Sequence, residues 1–288
     1  MKPRVVVIAG PTAAGKSAAA LALAERTRGT IINADASQLY ADLRLLTARP
    51  SPADEARVPH RLYGVLAGDD ACDAARWAGM ARAAVAEALA DGRLPIVTGG
   101  SGLYLRALID GIVDVPPIPD AIRAAVRALH PAEARAALAR EDPAATVADP
   151  QRVARALEVV RATGRPLADW QRAVTGGLDA AIDAYVVDLP RADLHARIDA
   201  RLAAMVAAGV TGEVAALGAR GLDPQAPVMK AIGVAPLLAA VRGETTPDAA
   251  LAATALATRR YAKRQQTWFR HQTPGWSRNL NTAALTIA

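Results

Sequence analysis

The sequence of 288 residues predicts an α/β fold in which a parallel sheet is interrupted by an all-helical insertion. In its N-terminal third, short β-branched runs alternate with alanine-rich helical segments, a pattern typical of parallel strands joined by crossover helices. From residue 120 to about 173, helical segments follow one another without a strand, and a strand-like run returns at residue 184. We therefore predict a core of residues 1–113 and 185–288 and a helical domain of residues 114–184.

The first predicted strand leads into a glycine-rich loop. Residues 4–9 have the character of a buried strand, and the loop after them matches the pattern G-x-x-x-x-G-K-[ST] in full. A helical segment follows, so that N–H groups of the loop and of the helix N-terminus converge on one anion. The sequence thus predicts a P-loop NTPase-like core, whose phosphate-binding residues are Gly10, Pro11, Thr12, Ala13, Ala14, Gly15, Lys16 and Ser17.

Two side chains of this loop have chemistry of their own. Lys16 supplies a full positive charge to a bound phosphate, and Ser17 supplies a hydroxyl suited to Mg²⁺. The motif predicts binding of a pyrophosphate or a polyphosphate, and by itself it leaves open which of them binds and which group leaves.

A second short strand, over residues 30–33, delivers Asp35 to the same edge of the sheet as the phosphate loop, because parallel strands share one carboxyl edge. There Asp35 can hold a metal or accept a proton from a nucleophile. The alternative interpretation is an aspartate that caps a turn or helix. Residues 41–70 are interrupted by prolines and are predicted as a loop.

The next strand, over residues 94–98, follows a helix over residues 73–91 and ends in a second glycine-rich turn at residues 99–102. A nucleotide kinase would need an aspartate after such a strand to complete its Mg²⁺ site, whereas this strand ends in threonine and glycine. The other candidate is Asp188, which is equally a helix cap. An ATP-dependent kinase for a nucleotide or a small molecule stays open as an alternative, as does a noncatalytic RNA-binding protein.

The segment between the two parts of the core is predicted to be helical. A proline-rich run at residues 115–119 marks its start, and helices are predicted over residues 120–130, 131–141, 150–163 and 166–173. The third begins with an aspartate cap followed by proline and ends at a glycine. On this helix, Arg152 and Arg155 lie three residues apart and share one face.

Charge is unevenly distributed along the chain. The formal net charge is +6, and no Asp or Glu follows Asp248, whereas six Arg and Lys residues do. Such a segment suits a polyanionic partner or, equally, a solvated helix face. The single cysteine, Cys72, excludes a disulfide framework, and no apolar run reaches the length of a membrane span. We expect a soluble cytoplasmic protein that does not contact a membrane.

Several motifs occur in order along nearly the whole chain. They are the phosphate loop, D-A-S-Q-L-Y at 35–40, T-A-R-P at 47–50, P-H at 59–60, G-G-S-G-L-Y at 99–104, Q-R-V-A-R-A-L-E-V at 151–159, A-I-G at 231–233 and T-R-R-Y-A-K-R-Q-Q-T-W-F-R at 258–270. In this combination the chain resembles the tRNA dimethylallyltransferase family. The last motif, together with those at 35–40 and 99–104, is the most specific part of the resemblance.

The resemblance implies a reaction and the residues that perform it. The phosphate loop would hold the pyrophosphate of dimethylallyl diphosphate with Mg²⁺ at Ser17, and the acceptor would be the N6 amine of adenosine 37 in the tRNA anticodon loop. The implied catalytic residues are Asp35 as general base, with Lys16, Ser17 and Lys230. The residues predicted to bind tRNA are Asp35, Ala36, Ser37, Gln38, Ser101, Arg123, Gln151, Arg152, Arg155, Lys263, Arg264 and Arg270. We expect the enzyme to be a monomer.

Overall fold

The computed structural model describes residues 2–113, 115–172 and 174–278. It confirms the predicted fold class, a parallel α/β core of the P-loop type with a second, mainly helical unit. One unit is formed by Met1–Leu108 and Asp179–Ala288, and the second by Ile109–Leu178.

The elements follow one another in three stretches of the chain. The first contains β1 (Arg4–Ala9), α1 (Lys16–Thr27), β2 (Gly29–Asn33), α2 (Pro52–Arg57), β3 (His60–Arg61), α3 (Ala74–Ala90), β4 (Leu94–Gly99) and α4 (Gly102–Ile109). The second contains β5 (Gly111–Val113), α5 (Asp120–Arg127), α6 (Pro131–Glu141), α7 (Pro150–Thr163), α8 (Leu167–Trp170) and β6 (Val174–Gly176). The third contains β7 (Ala181–Val186), α9 (Arg191–Ala207), α10 (Val210–Ala219), α11 (Val234–Val241) and α12 (Pro247–Gln272).

The boundaries of the second unit correct the predicted range of 114–184, whose first residue lies outside the described part of the chain. β5 pairs with β6 in an antiparallel ribbon, with Ile112 opposite Thr175, and this pairing joins the two ends of the unit. β7 starts at Ala181, earlier than predicted, because it pairs in parallel with β1 from Arg4 onward. The second unit is therefore helical apart from one short ribbon.

The core sheet has the strand order β3-β2-β4-β1-β7, and every pair in it is parallel. On one face, Val6 and Ile8 of β1 belong to an apolar cluster with Leu23 of α1. Trp77 of α3 is fully buried, and its Nε1 donates to the carbonyl oxygen of Asn33 at 3.0 Å. Because all the strands run the same way, the segments after β1, β2, β4 and β7 meet at one edge of the sheet.

Two elements lie within residues 41–70, which were predicted as a loop. α2 has six residues and opens with a capping box formed by Ser51 and Asp54. β3 contributes only His60 and Arg61 to the edge of the sheet. Elements of this length contain too few residues for a hydrophobic period to show in the sequence.

Helices α5, α6 and α7 pack around an apolar cluster of the second unit that includes Val126, Leu138 and Leu157. α7 has the bounds predicted from the sequence. Asp149 caps its first turn, and Gly164, with a φ of 67°, ends it. The capping residues therefore determine this helix as the sequence rules anticipate.

No single helix among the described residues has the length and apolar character of a membrane span. Helices α9 and α10 meet those criteria only as a pair, by length and composition alone, and are bent by 68° to each other. On α9, Leu194 and Ile198 are buried against Ala14 of the phosphate loop. Part of the apolar surface of this pair is thus protein core.

Candidate active site

The phosphate loop has the backbone geometry that anion binding requires. Gly10 and Gly15 have φ values of 144° and 99°, which favour glycine, and a Cβ on Gly10 would lie 2.2 Å from the carbonyl oxygen of Val187. α1 begins at Lys16, and no described side chain caps its first turn. The N–H groups of that turn are therefore open to a phosphate.

Lys16 folds back over the loop, where its Nζ donates to the carbonyl oxygen of Pro11 at 2.7 Å. The residue as a whole is half-buried, but the loop encloses its ammonium group. Burial lowers the pKa of Lys16 to about 8, while the charge of Asp35 opposes this shift and that of Arg201 adds to it. A bound diphosphate would place negative charge beside the ammonium and favour its charged form.

Two arginines of α9 add further positive charge to the phosphate loop. Arg201 Nη2 donates to Thr12 Oγ1 at 2.8 Å, and Arg197 Nη1 donates to the carbonyl oxygen of Ala14 at 3.4 Å. They lie four residues apart and so share one face of α9. Burial lowers the pKa of Arg201, and the charge of Asp35 counteracts part of this effect. Three cations therefore face the position that a diphosphate would occupy.

Asp35 follows β2 and is both a capping residue and a lining residue of the site. Its Oδ1 accepts hydrogen bonds from the N–H of Ser37 at 3.0 Å and from Ser37 Oγ at 2.7 Å. The fully buried Asn33 holds it from behind, because Asn33 Oδ1 accepts the Asp35 N–H at 2.8 Å. The described residues give Oδ2 no hydrogen bond, which leaves that oxygen to accept a proton.

A cavity of about 300 Å³ brings Asp35 and the phosphate loop together. Besides residues of the loop and Asp35, it is lined by Ala18, Gln38, Thr47, Ala48, Tyr63, Thr98, Gly99, Arg197 and Arg201. Burial, and after it the charge of Asp35, raises the pKa of Tyr63, so its hydroxyl stays protonated. The cavity thus has a cationic wall, suited to a diphosphate, and a wall with one carboxylate, suited to proton transfer.

The second glycine-rich turn supports both walls. A Cβ on Gly99 would lie 2.1 Å from the backbone of Ala34, so only glycine lets β4 approach the segment that carries Asp35. Ser101 Oγ accepts the N–H of Ala36 at 3.0 Å. Ser101 therefore holds the Asp35 segment in place rather than standing free.

Gln265 of α12 connects this turn with the phosphate loop. Its side chain is buried, its Oε1 accepts the N–H of Thr12 at 2.8 Å, and its Nε2 donates to the carbonyl oxygen of Gly100 at 2.9 Å. Tyr261 lies one turn earlier on the same helix, and burial, followed by the charge of Asp35, raises its pKa. The inner face of α12 is thus part of the site.

The outer face of α12 presents the predicted basic residues. Lys263, Arg264 and Arg270 are exposed, and the Arg264 guanidinium lies 5.6 Å from the centre of the Tyr261 ring. Arg259, in contrast, donates to both carboxylate oxygens of Asp199 at 2.6 Å. The exposed cations therefore form a surface suited to phosphate groups.

The predicted tRNA-binding residues near Asp35 have structural partners. Gln38 Nε2 donates to the carbonyl oxygens of Thr47 and Ala48 at 2.8 and 3.0 Å. Ser37 is engaged by Asp35, as described above, and Ala36 by Ser101. These residues shape the wall of the cavity that carries Asp35, and direct contact with tRNA stays a prediction for them.

Four predicted tRNA-binding residues lie in the second unit. Gln151 and Arg152 are exposed in the first turn of α7. Arg155 Nη1 lies 3.7 Å from the buried carboxylate of Glu158. Arg123 lies 4.0 Å from Asp120 on α5. Their contribution to RNA binding stays a prediction.

Lys230 is not part of the cavity. It is exposed at the end of the 3₁₀ turn Pro227–Lys230 and does not belong to the described lining. The prediction of a catalytic role for Lys230 rested on its position in a family motif, and the structure gives that role no geometric support. That role stays a prediction. Arg197, Arg201 and Gln265 lie at the site, although none of them was among the predicted site residues.

The oxygen atoms that line the cavity show whether the chain could hold Mg²⁺. The described residues contain no cluster of three His, Cys, Asp or Glu side chains that could hold a metal alone. Ser17 and Asp35 both line the cavity and supply oxygen ligands, and Mg²⁺ in proteins uses few such ligands together with substrate phosphates. Asp188 is exposed and accepts a hydrogen bond from Gln266 Nε2 at 2.8 Å. The residues present thus fit Mg²⁺ next to Ser17.

The fold and the cavity define a phosphate-binding α/β protein of the P-loop type. Within that class the chain belongs to the IPP transferase family, whose model matches residues 38–272.

Relatives of similar length share this assignment. A protein named tRNA dimethylallyltransferase from Sphingopyxis alaskensis is 54% identical, with 98% of this chain and 95% of its own covered. One of the same name from Azorhizobium caulinodans is 50% identical, with 99% and 95% covered. Among solved structures, the full-length tRNA isopentenylpyrophosphate transferase of Bacillus halodurans is 29% identical, with a TM-score of 0.69 and coverage of 95% and 88%. A eukaryotic dimethylallyltransferase acting on tRNA, 24% identical with a TM-score of 0.79, shares the fold.

Proposed function

We propose that the protein transfers a dimethylallyl group from dimethylallyl diphosphate to the N6 amine of adenosine 37 in tRNA and releases diphosphate. Family membership and the names of the relatives support the type of reaction. The observation that carries the chemistry is that the phosphate loop, two arginines and the carboxylate of Asp35 line the same cavity. The protein is proposed to act in the cytoplasm as a monomer.

The cationic wall holds the donor. The N–H groups of the phosphate loop, with Lys16, Arg197 and Arg201, bind the diphosphate and stabilise the charge that grows on it as it leaves. Mg²⁺ next to Ser17, when bound, would neutralise part of that charge. These groups are fixed before the reaction, so no reorganisation is needed as the bond breaks.

Asp35 activates the acceptor. The N6 lone pair forms a bond to C1 of the dimethylallyl group while the C1–O bond breaks, and that electron pair goes to diphosphate. The amine must lose a proton in this step, and Asp35 accepts it. The adenine has to leave the stack of the anticodon loop to reach the cavity, which costs less from a loop than from a duplex.

The remainder of the tRNA is proposed to bind to basic surfaces. Lys263, Arg264 and Arg270 on α12 are exposed and are proposed to contact phosphates. Arg152 and Arg155 on α7 are proposed to do the same from the second unit.

An ATP-dependent kinase is disfavoured as the alternative. β4 ends in Thr98 and Gly99 rather than in an aspartate, and Asp188 is exposed and bonded to Gln266. A kinase of this fold would use an aspartate after that strand for its metal. Asp35 does lie beside the phosphate loop, so a kinase is disfavoured by the end of β4 and by the names of the relatives.

The test is an incubation with tRNA and dimethylallyl diphosphate carrying a label in the prenyl group, in parallel with labelled ATP. We expect the label to appear in tRNA without ATP. Hydrolysis of ATP that tRNA stimulates, with no prenyl transfer, would support the kinase instead. RNA binding that persists unchanged in Lys16→Ala and Asp35→Ala variants, again without transfer, would support a noncatalytic RNA-binding protein.

A further inference from the structure

One wall of the cavity is formed by a tight turn at residues 43–49, called here the acceptor turn. Its chain folds on itself, because Ala48 N–H donates to the carbonyl oxygen of Leu45, and Arg49 N–H to that of Arg44, both at 3.0 Å. Thr47 Oγ1 closes the turn by donating to the carbonyl oxygen of Leu43 at 2.6 Å. Thr47 and Ala48 line the cavity, so their positions depend on this turn.

The carboxylate of Glu213 holds the acceptor turn from behind. Its Oε1 accepts the N–H groups of Arg44 at 2.6 Å and Leu45 at 2.8 Å, and its Oε2 accepts that of Leu46 at 2.9 Å. Three successive N–H groups that converge on one anion form a concave anion site, and here a side chain of α10 fills it. Hydrogen bonds to an ionised acceptor are about twice as strong as neutral ones.

Two further contacts connect the acceptor turn with its surroundings. Leu46 packs on Gly233, where a Cβ would lie 2.9 Å from Leu46 Cδ1, so α10 and the start of α11 support the turn together. On the cavity side, Gln38 Nε2 binds the carbonyl oxygens of Thr47 and Ala48. Gln38 belongs to the same 3₁₀ turn that Asp35 caps, so Gln38 connects the acceptor turn with the segment that carries the Asp35 carboxylate.

We propose that Glu213 is a positioning residue for the acceptor substrate. It fixes the wall against which the flipped adenine must rest, and it does so without touching the donor wall of Lys16, Arg197 and Arg201. The proposal rests on the proposed function. It predicts that loss of the Glu213 charge impairs use of tRNA while diphosphate binding stays intact.

Glu213→Gln is the variant that tests this. It keeps the size of the side chain, but it removes the charge and replaces one carboxylate oxygen by an NH2 group, which cannot accept a backbone N–H. Glu244→Gln is the matched control, since Glu244 is exposed and lies 4.0 Å from Arg242. Leu46→Ala loosens the same turn through its other contact, and it serves if Glu213→Gln fails to fold.

Three quantities are measured for each variant of the full chain. They are kcat/KM for tRNA at saturating donor, the Kd for pyrophosphate by calorimetry, and hydrogen exchange of the amides at residues 44–46. For Glu213→Gln we expect kcat/KM to fall about 10- to 100-fold, as for a misplaced site of roughly 1 Å. The pyrophosphate Kd should stay within twofold, and exchange should accelerate. Glu244→Gln should match the wild type in all three.

A wild-type kcat/KM in Glu213→Gln would overturn the proposal, and so would a parallel loss of pyrophosphate binding, which would mean general damage. Unchanged exchange at residues 44–46 would overturn the assigned contact itself. A wild-type protein that transfers no prenyl group would instead contradict the proposed function. The exchange and pyrophosphate measurements would still show whether Glu213 holds the turn.

Discussion

Asp35 combines two roles that the sequence presents as alternatives. It caps the 3₁₀ turn Ala36–Leu39 through Oδ1, and it lines the cavity with the phosphate loop. Capping fixes the carboxylate, and a fixed base transfers a proton at lower cost than a mobile one. At this position the structural role therefore supports the proposed catalytic one.

Replacing Asp35 should act on the chemical step. Asp35→Asn keeps the size and the cap but cannot take a proton, so the single-turnover transfer rate should fall by ~10²–10⁴, which corresponds to about 3–5 kcal/mol. Binding of tRNA should change by only several-fold. Asp188→Asn is the control, because Asp188 is exposed outside the cavity. A rate for Asp35→Asn within threefold of wild type would show that the base lies elsewhere.

Lys16 should make kcat/KM for the diphosphate donor depend on pH. Its pKa is lowered to about 8, so the ammonium is charged below that pH and neutral above it. Attraction for diphosphate is thus present at low pH and lost as pH rises through about 8 in the free enzyme. We expect kcat/KM for the donor to decline in this range. Lys16→Arg keeps its charge and controls for titration of the donor; an identical decline in this variant would rule out Lys16 as the cause.

At the scale of elements, α12 has an inner face that packs on the site and an outer face that is exposed. Gln265 and Tyr261 turn inward to the phosphate loop and the second glycine turn, while Lys263 and Arg264 are exposed. One helix thereby connects the donor wall with the surface proposed for RNA.

The outer face should bind tRNA through phosphates. Changing Arg260 and Lys263 to glutamine should weaken tRNA binding and reduce the slope of log K against log salt by roughly one unit per residue. Arg259→Gln is the matched control, because Arg259 is already held by Asp199. Filter binding across a salt series measures the slopes. Equal slopes for the double variant and the wild type would mean that this face is only solvated.

The sequence predicts those parts of the site that lie next to a strand. Asp35 and the phosphate loop follow strands with clear periodicity, so the parallel topology alone places them at one edge. Arg197 and Arg201 could not be found this way, since arginine is frequent throughout the chain and only packing shows which pair faces the loop. The Glu213 contact spans 168 residues, and no local pattern encodes it.

At the scale of the whole molecule, the excess of positive charge lies in the segment after Asp248. No acidic residue follows Asp248, and the exposed cations of α12 lie in that segment. The resemblance correctly predicts the family, and the family match over residues 38–272 spans both units. Lys230 does not line the described cavity, and its catalytic role stays a prediction.

The proposed function depends most directly on which atom of the tRNA receives the prenyl group. Wild-type protein is incubated with tRNA, dimethylallyl diphosphate and Mg²⁺, and the tRNA is digested and mapped by mass spectrometry. We expect one dimethylallyl group on N6 of adenosine 37, formed to the same extent with and without ATP. An adenosine 37 that stays unmodified although the protein is folded and binds tRNA would contradict the proposed function. A prenyl group on another nucleotide would contradict it as well.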